Sequence, residues 1–405
     1  MTRTVTLALV DADGVLLGAL PPYPVSVPYW METPDVVAEA VRLYGVTVDV
    51  LRLLTAEQPM PHGGAVTYLA EMAPGGGTAP LPLTPVTDDV AALALDDEPL
   101  RLPYARLGGP AASVGWARSV LGADYAATQE RTWNLSAIWR LDAPGSTVWL
   151  KQVPGFFAHE AAVLAWAWAA VPGATPRLLA AGADGRMLLE HVDGGDLYDA
   201  AAPVRERIAE TAHRIQLASV GDIEDLVVAG VPDRRGDRLV EWVRESLAPH
   251  AVGHRAEAVL DSLGRRMAAV GECGLPAALV HGDQHPGNAI GSVDRTVIID
   301  WGDSFVGNPG FDALRIGVGL DAPDADRLVR AWVRRWEVAA PGSRPARAVE
   351  LLRPVECLRL AAVYASFVAH TEPTERPYHA ADITDWLDRA VEASAVSSGH
   401  DSGHE

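Results

Sequence analysis

The chain passes from strand patterns to helix patterns, and a single strand-like segment interrupts the helices. The stretches QERTWNLSAIWRL (129–141), TVWLKQV (147–153) and RMLLEHV (186–192) are typical of strands, with turn residues and one helical segment between them. From Asp196 onward the apolar spacing is helical, except at residues 277–303, where two apolar runs flank a polar loop. This order predicts an antiparallel sheet followed by a mainly helical body that carries one polar loop between short strands.

Residues 1–110 are expected to form a small α+β domain of their own. The runs VTLALV and VLLGAL flank the turn at residues 11–14 and predict a hairpin, and TPDVVAEAVRLY (33–44) predicts a helix that ends before Gly45. Residues 63–72 and 90–96 predict further strands. We therefore expect four regions: an N-terminal domain (1–110), a strand-rich lobe (116–192), a helical lobe (193–395) and a disordered polar tail (396–405).

Charge and cysteine usage exclude several classes of function. The net charge of −20 opposes binding to a nucleic-acid backbone or to an anionic bilayer. Cys273 and Cys357 are the only cysteines, too few for a disulfide scaffold, and the most apolar stretch, 161–171, is too short to span a membrane. We expect a cytoplasmic protein without nucleic-acid or membrane partners, and the sequence leaves the oligomeric state open.

Lys151 is the only lysine of the chain, and every other basic side chain is arginine. A compact ammonium is required where a point charge must fit against a phosphate, and a planar guanidinium does not replace it there. Lys151 also lies in the middle of a predicted strand, where an apolar or β-branched residue is usual. An edge-strand lysine that reaches solvent is the alternative, but the pattern favours a phosphate-binding role.

The polar loop at residues 281–288 carries the clearest chemical signal. Asp283 and Asn288 lie in this loop, and Asp300 follows the next apolar run. Phosphoryl transfer needs one carboxylate to orient or deprotonate a hydroxyl and two oxygen ligands for Mg²⁺. A solvated turn between hairpin strands is the simpler alternative.

The segments LVHGDQHPGN (279–288) and VIIDWGDSFVGNPGFDAL (297–314) resemble the aminoglycoside phosphotransferase family. The resemblance implies an α+β, two-lobed protein-kinase-like fold, with an antiparallel-sheet N-lobe and a mainly helical C-lobe, and the use of ATP and Mg²⁺. It implies that Asp283 is the catalytic base, that Asn288 and Asp300 are the magnesium ligands, and that Asp312 braces the catalytic loop. Asp303 has no clear role by this resemblance.

The same resemblance implies a nucleotide site in the strand-rich lobe. Lys151 would clamp the phosphates and pair with Glu160 of the following helix, as the lysine and glutamate of kinases do. The loop over the nucleotide would be residues 131–136, which contain no glycine, so the side chains of Asn134 and Ser136 would donate to phosphate instead. The segment that joins the lobes would present backbone groups of Glu190 to Val192 to the adenine.

Two histidines of the polar loop are expected to have supporting roles. By the same resemblance, His281 buttresses the loop. His285 precedes Pro286 and could either contact substrate or shape the turn.

The N-terminal region resembles a Nudix hydrolase domain in its order of strand, hairpin, helix and Gly45. The family holds magnesium with several helix glutamates, whereas residues 38–45 contain Glu39 as their single acidic group. A Nudix-like fold without the activity is therefore the prediction, and a working hydrolase is the alternative.

The acceptor is expected to be a hydroxyl of a small molecule: an aminoglycoside, a sugar, an amino alcohol or another metabolite. Acidic residues such as Asp321, Asp324 and Asp326 would suit a polycationic aminoglycoside, but they serve solubility equally well. A nucleotide-binding pseudokinase or regulator without turnover is the alternative, because the nucleotide loop lacks glycine.

Overall fold

The computed structural model describes residues 2–58, 61–73, 80–291 and 295–401, with side chains through residue 395. They form two compact units. The first contains the residues up to 155 together with Leu179–Glu190 and Phe367–Ala381, and the second contains Phe156–Leu178, His191–Ser366 and the described residues from Asp382 onward.

The first unit begins with a mixed five-stranded sheet. Its strands run in the order β2-β1-β5-β4, and β3 pairs with β1. Strands β1 and β5 are parallel, and the other pairs are antiparallel. Alternate residues of β1 enter two different cores: Val5 and Leu7 pack with helix α1, and Ala8 and Val10 pack with helix α2. The bounds are β1 Arg3–Val10, β2 Leu16–Ala19, β3 Tyr23–Val25, α1 Pro34–Tyr44, β4 Val48–Ala56, β5 Gly64–Met72 and α2 Asp88–Leu95.

The predicted strand at residues 90–96 is wrong, because helix α2 occupies this segment. The side chain of Thr87 caps the helix by accepting the Val90 backbone N–H at 3.4 Å. Asp88 and Asp89 lie in the first turn, where negative charge stabilises a helix. The alanines and leucines that follow are strong helix formers, so local propensity decides against the strand.

A second, five-stranded sheet completes the first unit. Its order is β6-β7-β8-β10-β9. Helix α3 places Val114 and Ala117 against Trp139 and Leu150 of this sheet, which closes a separate apolar core. The bounds are α3 Gly109–Leu121, β6 Ala126–Trp133, β7 Ser136–Ala143, β8 Ser146–Gln152, β9 Leu178–Ala181 and β10 Arg186–Glu190.

Buried hydrogen bonds join the two sheets of the first unit. The side-chain amide of Gln129 on β6 accepts from Val50 N at 2.9 Å and donates to Val50 O at 2.8 Å. The Thr33 hydroxyl donates to Gln129 O at 2.9 Å instead of capping helix α1. Residues on both sides of the predicted boundary near residue 110 therefore belong to one compact unit.

A segment that follows the long helix of the second unit also belongs to the first unit. Within residues 367–381, Glu375 Oε1 accepts the Leu53 N–H at 3.3 Å, and the Glu375 backbone carbonyl accepts from Asn134 Nδ2 at 3.4 Å. His379 Nε2 bonds to Asn134 Oδ1 at 2.9 Å. The turn between β6 and β7 is thus fixed by residues distant in sequence.

The second unit is mainly helical, as the sequence predicts, and contains two small antiparallel sheets, β11-β13-β14 and β12-β15. Its helices are α4 Glu160–Ala170, α5 Ala202–Ser219, α6 Ile223–Val228, α7 Asp237–Leu247, α8 His254–Gly271, α9 Gly310–Arg315, α10 Ala322–Ala339, α11 Pro345–His370 (whose last turn belongs to the first unit) and α12 Ala380–Asp401, and its strands are β11 Gly195–Asp196, β12 Ala278–Val280, β13 Ala289–Gly291, β14 Thr296–Ile298 and β15 Phe305–Gly307.

Helix α12 runs to Asp401 and so enters the segment 396–405 that the sequence predicts to be disordered. Residues 402–405 lie outside the described residues. None of the helices in the described part of the chain combines the length and the apolar composition needed to cross a bilayer.

The buried Glu375 predicts a pH dependence of stability. Burial, and then the nearby Glu372, raise the pKa of Glu375 to about 8. Because the folded state holds this proton above the ordinary carboxyl pKa, the contribution of Glu375 to the free energy of unfolding falls as the pH rises from about 4.5 to 8. We expect Glu375→Gln to remove this loss, on the order of a few kcal/mol, in urea denaturation curves recorded at pH 5 and pH 8. Parallel pH profiles for the variant and the wild type would contradict it.

Candidate active site

The polar loop 281–288 connects β12 to β13, and its two ends are held by neighbouring strands. The backbone carbonyl of Asn288 accepts the Ile299 N–H at 2.9 Å, next to the pairing of β13 with β14. Asn288 and Asp300 therefore lie on adjacent chain segments at one end of the small sheet. Asp300 is exposed and has a φ of 62°, in the left-handed region that few non-glycine residues adopt.

The buried carboxylate of Asp312 braces this loop from helix α9. Its two oxygens accept the backbone N–H groups of His281 at 3.0 Å and of Gly282 at 3.1 Å, and Gln216 Nε2 donates to it at 2.8 Å. Gly282 has a φ of 84°, and a Cβ there would lie 2.2 Å from the Asp303 carbonyl oxygen. Only glycine can occupy this position without strain.

His281 holds the loop against the following strand, in agreement with the structural role expected for it. Its Nδ1 accepts the Asp283 N–H at 3.3 Å, so its proton is on Nε2, which donates to the Ile299 carbonyl at 2.9 Å. The ring lies 4.7 Å from that of Trp301 and is fully buried. His281 therefore orients the backbone of Asp283 and does not reach a reacting group.

Asp283 is surrounded by donors of hydrogen bonds. Asn288 Nδ2 donates to its carboxylate at 3.3 Å and to its backbone carbonyl at 2.9 Å, and Arg315 NH2 forms an ion pair with its other oxygen. His285 Nε2 lies 3.5 Å from the carboxylate. Although burial raises the pKa of Asp283, Arg315 and His285 hold it well below its ordinary value. The carboxylate is therefore ionised and fixed in orientation.

His285 also shapes the loop. Its Nδ1 accepts the Gly287 N–H at 3.1 Å, which caps the short helical turn at residues 286–288.

Sequence reasoning missed two arginines that complete this site. Arg315 lies one helical turn after Asp312, and its side chain is 12% exposed. Arg359 of helix α11 donates to the Gly282 carbonyl at 2.6 Å and forms a buried ion pair with Glu356. Arg315 could have been found as a helix neighbour of Asp312, but nothing in the sequence around Arg359 connects it to the loop.

Three carboxylates of the site influence one another. Burial, then the charge of Asp283 and more weakly that of Asp300, raise the pKa of the half-buried Asp303 to about 8. Glu160, at the start of helix α4, accepts the Trp301 N–H at 3.1 Å and so approaches the residue that follows Asp300. Several carboxyl groups thus lie close together where the sequence predicts a cation, and their mutual repulsion and burial keep the proton on Asp303.

Asn288 and Asp300 are the oxygen donors that the sequence predicts as metal ligands. Within the described residues, no group of three or more His, Cys, Asp or Glu side chains is arranged to hold a metal ion. Mg²⁺ usually binds one or two protein oxygens and completes its shell with water and phosphate. Because the Asn288 amide nitrogen points to Asp283, its oxygen points the other way and can serve as a ligand beside Asp300.

The other predicted site residues lie mostly in the first unit. Lys151 is at the centre of the second sheet, on β8 between Ile138 of β7 and Met187 of β10, and it is 7% exposed. It is therefore a central-strand lysine, and the edge-strand alternative is wrong. Glu190 ends β10 and is exposed, and Val192 follows in the second unit, half-buried.

The structure does not support phosphate contacts from the side chains of Asn134 and Ser136. Both are buried: Asn134 bonds to Glu375 and His379 as described above, and the Ser136 hydroxyl accepts from Trp133 Nε1 at 3.1 Å. Trp133 pairs directly with Ser136, so the turn spans two residues instead of the predicted 131–136. The predicted loop is wrong because strand pairing continues to its tip.

An ionised carboxylate held beside an amide, with a further carboxylate on the adjoining segment, is typical of enzymes that transfer phosphoryl groups. The chain belongs to the phosphotransferase enzyme family: the model of that family matches residues 116–349, more than half of the chain. The predicted class, a small-molecule phosphotransferase of the kinase type, is confirmed. No curated protein matches the sequence significantly.

Solved structures confirm the predicted protein-kinase-like fold. The chain is similar to a choline/ethanolamine kinase family protein from Mesorhizobium loti (17% identity, 69% of this chain and 98% of that chain, TM-score 0.50). It is also similar to choline kinase LicA from Streptococcus pneumoniae (13% identity, 70% and 97%, TM-score 0.53). A third similar structure is that of a putative aminoglycoside phosphotransferase from Ralstonia eutropha (16% identity, 71% of this chain and 98% of that chain, TM-score 0.50).

Because the Asp303 carbonyl lies so close to Gly282, we expect a single added methyl group at this position to have a large effect on stability. We expect Gly282→Ala to lower the free energy of unfolding by roughly 2 kcal/mol or more, because the left-handed φ and the clash with the Asp303 carbonyl add. Gly264→Ala in helix α8, where a Cβ would meet nothing within 4 Å, is the control and should stabilise by about 0.5–1 kcal/mol. Denaturant titrations of both variants provide the measurement. Equal effects of the two changes would show that Gly282 is not constrained as described.

Proposed function

We propose that this protein transfers the terminal phosphoryl group of ATP to a hydroxyl group of a small molecule, with Mg²⁺. One observation carries the proposal: Asp283 is ionised, hydrogen-bonded to Asn288, and held on a loop whose far end is bonded to the segment that carries Asp300. The family match supports the reaction class, and the predicted residue roles support the details.

Asp283 accepts a hydrogen bond from the acceptor hydroxyl and directs its oxygen toward the phosphorus. As the new P–O bond forms and the bond to the nucleotide breaks, the hydroxyl proton passes to the Asp283 carboxylate. Because Arg315 lowers the basicity of Asp283, the carboxylate serves mainly to orient the hydroxyl. This suits a loose transition state, in which positioning and charge neutralisation supply most of the catalysis.

Asn288 Oδ1 and the Asp300 carboxylate would hold the metal. Bound Mg²⁺ neutralises charge on the phosphate oxygens during transfer. The brace from Asp312 and the hydrogen bond between Asn288 and Asp283 fix these ligands before substrate arrives.

Lys151 contributes its ammonium to the nucleotide phosphates, and Glu160 orients it. The backbone of Glu190 to Val192 receives the adenine edge. A buried lysine at the centre of a sheet supports this assignment, because anionic groups such as carboxylate and phosphate stabilise a buried ammonium. Since the side chains of Asn134 and Ser136 have partners within the protein, we do not include them in the nucleotide site.

The acceptor class includes amino alcohols, aminoglycosides, macrolides and sugars. The similarity to choline kinase LicA supports testing choline and ethanolamine first. A cytoplasmic location, and the lack of nucleic-acid and membrane partners, remain part of the proposal on the strength of charge and composition.

A second candidate is a nucleotide-binding protein without turnover. Two features favour this candidate. Asp283 is already paired with Arg315, and the turn at Asn134 lacks the glycines that make the nucleotide loop of a kinase flexible. Nudix-type hydrolysis is not proposed: Glu39, the single acidic residue of that stretch, is paired with Arg42 at 2.6 Å.

The deciding experiment is a phosphorylation panel. The full chain is incubated with ATP or GTP and Mg²⁺ and with choline, ethanolamine, kanamycin, a macrolide and common sugars, and nucleoside diphosphate release is followed. Acceptor-dependent release supports the enzyme. Nucleotide binding by calorimetry without release on any acceptor would support the second candidate.

The proposed roles of Asp283 and Asp300 predict that substitution of either carboxylate abolishes turnover and leaves the fold intact. We expect Asp283→Asn and Asp300→Asn each to lower kcat by about a thousandfold or more, because one orients the hydroxyl and the other holds the metal. Thermal unfolding should stay close to that of the wild type. Asp261→Asn, on an exposed position of helix α8, is the control. Retention of most activity in either variant would reject the assigned roles.

The ion pair between Arg315 and Asp283 is expected to set the pH dependence of kcat. Removal of its positive charge should raise the pKa of Asp283, so in Arg315→Gln the acidic limb of the kcat profile should move upward by about one pH unit or more. Arg315→Lys, which keeps the charge, should restore most of the wild-type profile. The profile is measured on the acceptor that the panel identifies, and an unshifted acidic limb in Arg315→Gln would contradict the proposed role.

A further inference from the structure

The first unit contains a cavity of about 310 Å³ that the proposed reaction does not use. It lies on the face of the first sheet that carries helix α2, and we call it the α2 cavity. Val10, Leu51 and Leu69 line it from strands β1, β4 and β5 and are almost fully buried. Helix α2 has eight residues, about 12 Å of length, and covers only part of this face. The cavity lies beside the end of this helix, where Ala94 and Leu95 line it.

The rim of the α2 cavity is apolar and exposed. Leu95 is 57% exposed and Leu107 is 42% exposed, and both line the cavity. Val15, which follows the lining residue Gly14, is 56% exposed. Large apolar side chains grouped at the mouth of a cavity are typical of sites that bind a molecule with an apolar part.

The polar lining of the α2 cavity consists of three arginines: Arg52, Arg101 and Arg106. Arg52 is 3% exposed. Its NH2 donates to the carbonyls of Leu93 and Ala94 at 3.2 and 2.8 Å, and its NH1 donates to the Ala105 carbonyl at 3.4 Å. Its Nε has no hydrogen-bond partner among the described residues. A buried guanidinium N–H without an acceptor at hydrogen-bond distance is costly. Since Arg52 lines the cavity, a ligand oxygen that came within reach of this N–H would satisfy it.

Arg106 offers the second donor group. Its side chain is 45% exposed, and its contacts are weak: its Nε donates to the Arg101 carbonyl at 3.2 Å and its NH1 lies 3.7 Å from Asp97. An exposed, loosely held guanidinium at a cavity mouth can turn toward an anion at little cost.

The surrounding charges limit the ligand to a single negative charge. Arg101 is already paired with Glu372 at 2.9 Å and with Asp96, and Glu372 also lies 3.7 Å from Arg52 Nε. Burial, and then the charge of Arg101, still lower the pKa of Arg52 to about 10 despite these acids. Arg52, Arg101 and Arg106 face the carboxylates of Glu372, Asp96 and Asp97, so the charges around the cavity are already balanced, and a dianion such as a phosphate monoester would be repelled more strongly than a monoanion.

We propose that the α2 cavity binds a monocarboxylate with an apolar chain. The chain would lie on Val10, Leu51 and Leu69, and the carboxylate would accept from Arg52 Nε and from the guanidinium of Arg106. The N-terminal region is then a ligand-binding module with a site of its own, independent of the nucleotide and acceptor sites.

Calorimetric titration of the full chain with three eight-carbon probes tests the proposal. Octanoate should bind saturably with one site per chain, octanol about tenfold more weakly or worse, and octylamine not at all. Absence of saturable octanoate binding would overturn the proposal, and so would equal binding of octanol or octylamine, because the arginines would then play no part.

Matched variants locate the site. Arg106→Gln should weaken octanoate binding about tenfold, and Leu95→Gln should weaken it as well; both positions are exposed, so the fold should tolerate the changes. Arg42→Gln on helix α1, also exposed, should leave binding unchanged. Loss of binding in Arg334→Gln, but not in Arg106→Gln, would place the ligand in the arginine-lined groove between helices α10 and α11 and would reject the α2 cavity.

Discussion

The geometry of the catalytic loop depends on one buried carboxylate, that of Asp312. It accepts two consecutive backbone N–H groups, of His281 and Gly282, which would otherwise be buried without partners. Gln216 of helix α5 and Arg359 of helix α11 complete the arrangement, through Asp312 and through the Gly282 carbonyl. Three helices of the second unit therefore hold one tight turn, and the positions of the reacting side chains follow from it.

The helix that carries Asp312 also carries the arginine that keeps Asp283 ionised in a crowded acidic site. Arg315 comes from the same short helix as Asp312, so the residue that fixes the loop and the residue that sets the charge of Asp283 share one element. Asp303, which lacks such an ion pair among the described residues, takes the opposite shift in its pKa. Two neighbouring carboxylates thus differ in charge state because one of them is paired with a guanidinium.

The first unit shows a different use of buried polar groups. The Gln129 amide joins the two sheets, and Glu375 and His379 anchor the turn at Asn134 from a segment more than two hundred residues away in sequence. A turn held in this way is rigid without glycine. Tertiary contacts fix the position of the backbone in this turn. In a glycine-rich loop, by contrast, the backbone is conformationally free. The N-terminal region and the second sheet are consequently one packed body.

Much of the fold and the centre of the site could be predicted from the sequence alone, because local patterns carry them. The chain itself determined helix α1, the strand that carries Lys151, the helical second half, and the loop with Asp283 and Asn288 that precedes Asp300, since propensity, periodicity and motif spacing act over short distances. Helix α2 is the exception: its cap and its helix-forming residues are local signals too, but its apolar run was interpreted as a strand.

Only the tertiary structure decided the partners: Arg315 on Asp283, Arg359 on Gly282, and Glu375 and His379 on Asn134. Hydrogen bonds and ion pairs form between whatever groups the packing brings together, and sequence separation carries no information about which groups those are.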